Sequence, residues 1–292
     1  MSVATKFQNF CINIRIPQNI VDNISYRYKR ITKQLNLDFW GSDSDTYHSL
    51  YVGSYGRDTE IYISDIDMLF ILQPNLYERY NNYSGNGQSA LLQDIRNSLQ
   101  KTYPTTYISA DGQVVKIDFA DNIGFEIVPC FLNTNGNYTY PDTNNGGSWK
   151  ATNPKPEIEA IREGNQKWNG NLKNLCRMAR EWKIEWKAPM NGLLIDTLVF
   201  NFLKNWKYNC NSYSFYDWLT RDFFYFLKNQ DQNQSYWLAL GSNQIIFRKG
   251  IFEYKALQCY NLTIEAIKLE NEKYEFTANQ KWKEIYGPKF LN

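Results

Sequence analysis

Apolar side chains recur every three or four positions over residues 18–39, at Ile20, Ile24, Tyr28, Ile31, Leu35 and Phe39, with basic and polar residues between them. That period marks one face of a helix, and Pro17 just before it suits a helix start. At 66–72 the pattern becomes IDMLFIL, short, apolar and followed by Pro74, which predicts a buried strand. Residues 75–89, rich in Asn, Tyr, Ser and Gly, read as a loop, and ALLQDIRNSLQKTY (90–103) as a second helix. QVVKIDFA (113–120) and GFEIVPCF (124–131) alternate as strands joined by a turn at Asp121–Gly124. The Asn-, Gly- and Pro-rich stretch 133–157 predicts a boundary or hinge. Beyond it the period is helical over 155–187, 190–206, 213–229 and 255–272, with a short strand pair near GSNQIIFRKGIFE. Strands followed by runs of helices predict a mixed α+β fold with segregated layers. The expected division is an N-terminal α/β lobe, residues 1–150, and a helical lobe, residues 151–292, with a ligand site in the cleft between them.

Composition narrows the function classes. With 43% hydrophobic residues, the 292-residue chain can build a substantial core, and Trp168, Trp182, Trp186 and Trp206 recur on helices as core residues. The net charge of +2 is too small for a long nucleic-acid track, so no stable nucleic-acid partner is expected. Five scattered cysteines and a single histidine, His48, do not make a structural zinc site; the cysteines read as buried and reduced. No signal peptide or membrane-length apolar run is visible, which predicts a cytoplasmic chain, expected to be monomeric.

The candidate chemistry lies in GSYGRDTEIYISDIDMLFIL. Asp65 and Asp67 are two apart at the start of a strand, so both carboxylates project from one face. Adjacent acids repel unless a cation stands between them, and Mg²⁺ (or Mn²⁺), a hard ion that takes carboxylate and phosphate oxygens, suits the pair. A third carboxylate on a neighbouring strand allows two ions about 3.5–4 Å apart. Glu126, an acid in an otherwise apolar strand, and Asp118 in VVKIDFA compete for that place. Gly53 and Ser54 offer backbone N–H groups and a hydroxyl to phosphate oxygens. Tyr55 is either a base-stacking residue or ordinary packing. Lys173, Arg177 and Arg180 lie near one face of the helix NLKNLCRMAREWKIEWK, and taken alone they read as a solvated basic face.

These residues resemble the signature of the polymerase-β-like nucleotidyltransferases. More specifically they resemble the bacterial cGAS/DncV-like nucleotidyltransferases (CD-NTases) of CBASS anti-phage defence. FEIVPCF is similar to the family's third-acid strand, WKATNPKPEIEAIREGNQKWNGNLKNLCRMAREWK to its hinge and first helix of the second lobe. GLLIDTLVFNFL, LGSNQIIFRKGIF and KWKEIYGPKFL extend the likeness over nearly the whole chain. The resemblance implies condensation of NTPs into a cyclic di- or trinucleotide that activates a separate effector protein. It implies Asp65, Asp67 and Glu126 as metal-binding acids, favouring Glu126 over Asp118, and Gly53 and Ser54 as donor-triphosphate contacts. The family's third acid is usually Asp, so Glu126 is one methylene longer. A basic residue facing the donor phosphates is implied at Arg180, with Arg177 beside it. The family's serine at the start of the next helix is missing, leaving Asn191 or the Gly192 backbone in its place.

Overall fold

The computed structural model describes residues 1–61 and 65–291. Packing divides the chain into two compact units. One comprises Met1–Arg15, Arg57–Tyr62 and Pro156–Asn292; the other comprises Ile16–Gly56 and Ile63–Lys155. The expected lobe of residues 1–150 is thus corrected at two places. Helix α1 (Val3–Asn13), which the apolar pattern did not predict, puts Phe7, Phe10 and Cys11 into the core of the C-terminal helices. Segment 57–61 goes with it, held by buried charges described below.

In the unit containing the candidate acids, α2 (Gln18–Trp40) runs as its period predicts, burying Ile24, Ile31 and Leu35 and stopping at Gly41 in the left-handed region. There follow β1 (Ser49–Tyr51), the single turn α3 (Gly53–Gly56), β2 (Asp65–Ile71), α4 (Asn75–Asn81) and α5 (Gly87–Thr102). Strands β3 (Tyr107–Asp111), β4 (Val114–Asp118), β5 (Gly124–Leu132), β6 (Tyr138–Asp142) and β7 (Ser148–Thr152) complete it. The sheet is mixed. Strands run β1-β2-β5-β4-β3, with β2 and β5 parallel, the other pairs antiparallel, and β6–β7 hairpinned onto the end of β5. One face of its central strands is packed by α2 and α5 around Ile66, Met68, Phe70, Ile117, Phe125 and Ile127.

One expectation fails here and another holds in part. Residues 75–81 of the predicted loop are helical because Tyr80 buries its ring and donates its hydroxyl to Asp94 at 2.7 Å, a tertiary contact that composition does not announce. The stretch 133–157 contains the boundary between the units, at Lys155–Pro156, but most of it is β6 and β7, whose Asn and Gly residues form the turn at 144–147, where Asn145, Gly146 and Gly147 have positive φ.

The other unit is helical. Its predicted helix 155–187 is two, α6 (Lys155–Lys167) and α7 (Asn171–Glu185), broken where Asn169 and Gly170 take φ of 52° and 82°. Then come α8 (Gly192–Asn205), α9 (Tyr216–Lys228), the hairpin β8 (Tyr236–Leu238) and β9 (Ile245–Phe247), α10 (Glu253–Asn271) and α11 (Glu275–Tyr286). Trp168, Trp182 and Trp206 lie in its core and Trp186 packs against it; Trp282, Tyr286 and Phe290 of the terminal segment close it. Four cysteines are buried, but Cys210 is exposed, against expectation. Among the described residues no helix is long and apolar enough to cross a membrane.

Candidate active site

Alternation along β2 sends Ile66, Met68 and Phe70 into the core and leaves Asp65 and Asp67 on the opposite face. In β5 the same alternation buries Phe125 and Ile127 and turns Glu126 the other way. The parallel register pairs Asp67 with Glu126 and Asp65 with Gly124, so three carboxylates share one face of two neighbouring strands. Asp118 sits one strand further out, opposite Gly124. Register therefore brings Glu126, and not Asp118, beside Asp67. Glu126 is not the buried acid its apolar surroundings suggested: its side chain is 30% exposed and Asp65's 35%, open to a ligand.

Lys116, which sequence reasoning passed over, is the register partner of Glu126 on β4. Its Nζ lies 2.9 Å from Asp65 Oδ1 and 3.5 Å from Glu126 Oε1. The hydrogen bond to Asp65 raises the ammonium above its ordinary pKa. The available signal was a lone basic residue inside an alternating strand ending in an acid. Three carboxylates against one ammonium leave the cluster net negative.

Gly53 opens α3 with φ of 62°, and a Cβ there would stand 1.9 Å from Asp67 Oδ2. The glycine is thus required by the acid as well as by the backbone. The Val52 N–H donates to Asp67 O at 2.9 Å, tying the Gly53-Ser54 turn to the strand that carries the acids. Ser54 follows on the same turn. Tyr55 leans on Tyr51 with ring centroids 4.9 Å apart, and Tyr51 stacks on Tyr28, so the packing reading of Tyr55 has direct support.

Arg177, Arg180 and Asn191 lie in the helical unit, and each has hydrogen-bond partners there. Arg177 donates to the backbone oxygens of Asp58 and Glu60 at 2.7 and 3.2 Å and pairs with the Asp58 carboxylate, which also takes Lys173 Nζ at 2.7 Å. Arg180 pairs with fully buried Asp196 at 2.7 Å and donates to Thr59 at 2.9 Å. Asp196 also accepts from Arg57 Nε at 2.8 Å and Thr59 Oγ1 at 3.0 Å, and Arg57 reaches Glu157 at 3.2 Å. Burial raises the Glu157 carboxyl, against the pull of Ser242 and Arg57. The whole network clamps segment 57–61, between the Gly53 turn and β2, onto α6, α7 and α8. Asn191 Oδ1 caps α8, accepting from the Leu194 N–H at 2.7 Å. Gly192 lies against the Arg180 guanidinium, whose Nη1 would stand 2.4 Å from a Cβ there. Residues 62–64 of the signature stretch lie outside the described residues.

A divalent ion can be tested against this donor set. Among the described residues no three His, Cys, Asp or Glu side chains stand close enough together to form a finished ligand set. The chemistry nonetheless fits: hard carboxylate oxygens, partly open to solvent, on adjacent strands, with a lysine ammonium already acting as a stand-in cation.

Known proteins carry the same plan. Residues 1–165 match the Second Messenger Oligonucleotide or Dinucleotide Synthetase domain. A probable cyclic nucleotide synthase of Bacillus cereus (strain VD146) is 27% identical over 173 residues, 57% of this chain, and the match spans 51% of that relative, about half its length. The structure of Escherichia coli MS115-1 CdnC with ATP superposes with a TM-score of 0.73 at 13% identity, covering 99% of both chains. The Bradyrhizobium diazoefficiens CD-NTase CdnG with GTP gives 0.68 at 8% identity, covering 99% of this chain and 96% of that one. At such identities the superpositions speak for the fold. With the domain match covering more than half of its length, the chain belongs to the Second Messenger Oligonucleotide or Dinucleotide Synthetase family and has the CD-NTase fold.

Proposed function

We propose that this chain is a cyclic oligonucleotide synthase that condenses NTPs, releasing pyrophosphate, into a cyclic dinucleotide. The carrying observation is the set Asp65, Asp67 and Glu126 on one face of two parallel strands, with Gly53 packed against Asp67. Asp65, Asp67 and Glu126 would hold two Mg²⁺ or Mn²⁺ ions, which polarise the attacking hydroxyl and offset charge on the leaving group. The Gly53 turn presents backbone N–H groups and the Ser54 hydroxyl to the donor triphosphate. An acceptor ribose oxygen forms a bond to the donor α-phosphorus, the bond from that phosphorus to the β-phosphate oxygen breaks, pyrophosphate leaves, and the hydroxyl proton passes to solvent. A second attack of the same kind closes the ring. Positioning and charge neutralisation carry the rate, and no histidine base is needed. Arg177 and Arg180 hold segment 57–61 and Asn191 caps α8, which is the support the structure lends these residues. The ATP- and GTP-bound relatives support NTPs as substrates. The product would be released in the cytoplasm to a separate effector of anti-phage defence.

The test is incubation with all four NTPs and Mg²⁺ or Mn²⁺, followed by mass spectrometry of phosphatase-resistant products. A cyclic product made by the wild type and absent from Asp65→Ala/Asp67→Ala supports the reading. Intact NTPs with every metal, or product from the double variant, overturns it. Elongation of a supplied RNA alone would replace it with a terminal nucleotidyltransferase.

A further inference from the structure

We propose that Lys116 is a built-in counter-cation of the carboxylate cluster, which a divalent ion must displace in order to bind. The proposal rests on reading Asp65, Asp67 and Glu126 as metal ligands. It stands on where β4 places the side chain. Val115 and Ile117, both fully buried, pin the strand's rotation, so Lys116 emerges on the face of the acids. Its register partner is Glu126, and its ammonium bridges Glu126 and Asp65, which belong to different strands. That is the position between carboxylates that a metal ion would take.

An ammonium and a divalent ion cannot share Asp65 Oδ1 without close repulsion. Two unit charges about 4 Å apart, even screened as in water, weaken each other's binding about fivefold, and the ion's second charge and a lower local dielectric both add to that. The lysine side chain is 33% exposed, so it can swing towards water when displaced. In the absence of metal the same ammonium offsets the mutual repulsion of the acids on the two strands. The consequence is a site that holds its carboxylates in place and resists a bare metal ion.

The experiment measures Mn²⁺ binding to the full chain without nucleotide, by electron paramagnetic resonance of free Mn²⁺. The proteins are wild type, Lys116→Met, Lys116→Gln and Lys116→Arg, each with and without Asp67→Asn, and folding of each is checked by circular dichroism. Lys116→Met and Lys116→Gln are expected to bind Mn²⁺ at least about fivefold tighter than wild type. Lys116→Arg, which keeps the cation, is expected to retain wild-type affinity, and Asp67→Asn to remove binding in every background. A lysine that merely steadies the sheet would alter melting without this pattern. Equal or weaker binding by Met and Gln variants, with Asp67→Asn still abolishing it, overturns the role of Lys116 and leaves the metal reading standing. No binding by any variant, or binding indifferent to Asp67→Asn, overturns both.

Discussion

Gly53 shows how one absent side chain can matter to chemistry. A Cβ on it would overlap the Asp67 carboxylate, and its positive φ adds backbone strain for any L side chain. Gly53→Ala is therefore expected to push Asp67 out of position and lower kcat about a hundredfold, the scale of an ångström's misplacement. It should also cost more than ~1 kcal/mol of stability. Pyrophosphate release and urea unfolding measure the two effects, and a variant with unchanged kcat would refute the link to Asp67. Asp65 and Asp67 were legible from spacing alone, because a two-residue step along a strand returns to the same face. Glu126 was reached as a lone acid in an apolar strand and through the family resemblance, and Lys116 not at all, because their proximity to the pair depends on register between strands.

Segment 57–61 is organised at the level of the elements it joins. Asp196 on α8 is fully buried and takes bonds from Arg57, Thr59 and Arg180. Removing it leaves buried Arg57 with Glu157 as its carboxylate partner and takes the carboxylate from partly buried Arg180, and breaking such buried pairs typically costs about 3–5 kcal/mol. Asp196→Ala is expected to lose that much in a denaturant titration, and a loss under ~1 kcal/mol would show that the clamp is dispensable. Helix periods located α2, α5 and α8 well because each buries one continuous stripe. They merged α6 and α7 because the break at 169–170 depends on backbone conformation, and apolar residues continue on either side of it. Arg180 is the sharper lesson. Its helix position was legible, but its partner Asp196 comes from another helix, and that partner decides its task.

At the scale of the whole chain, the first fifteen residues belong with the last hundred and more. Phe7 is fully buried, edge-on to Trp282 at 5.1 Å and to Phe290 at 5.2 Å, and buried Lys6 pairs with Glu270 at 2.9 Å. Phe7→Ala is expected to cost about 3–5 kcal/mol by denaturant titration; an exposed, frayed α1 would give almost nothing. Stability should also depend on pH through Glu60. Burial pushes its carboxyl up to about 7 from 4.5, and its Oε2 has no hydrogen-bond partner among the described residues. The folded chain then keeps a proton that the unfolded chain releases. The contribution is complete below about pH 4.5 and is lost as pH rises to about 7. Asp217, raised to about 6 by burial, acts in the same direction. Glu60→Gln, uncharged throughout, should gain on wild type across that window in urea midpoints measured from pH 4.5 to 7.5. A constant difference would exclude Glu60 as the source.

The sequence by itself determined the mixed class, the helix and strand periods, the acid pair on one face and the family. Each follows from local periodicity or a contiguous motif, which the backbone converts to geometry without help from distant residues. Only the tertiary structure decided the register that sets Glu126 beside Asp67, that a lysine bridges the cluster, that Arg177 and Arg180 secure a segment, and that α1 joins the C-terminal core. Those outcomes depend on strand register and on buried charges finding partners far along the chain, and local pattern carries no information about either.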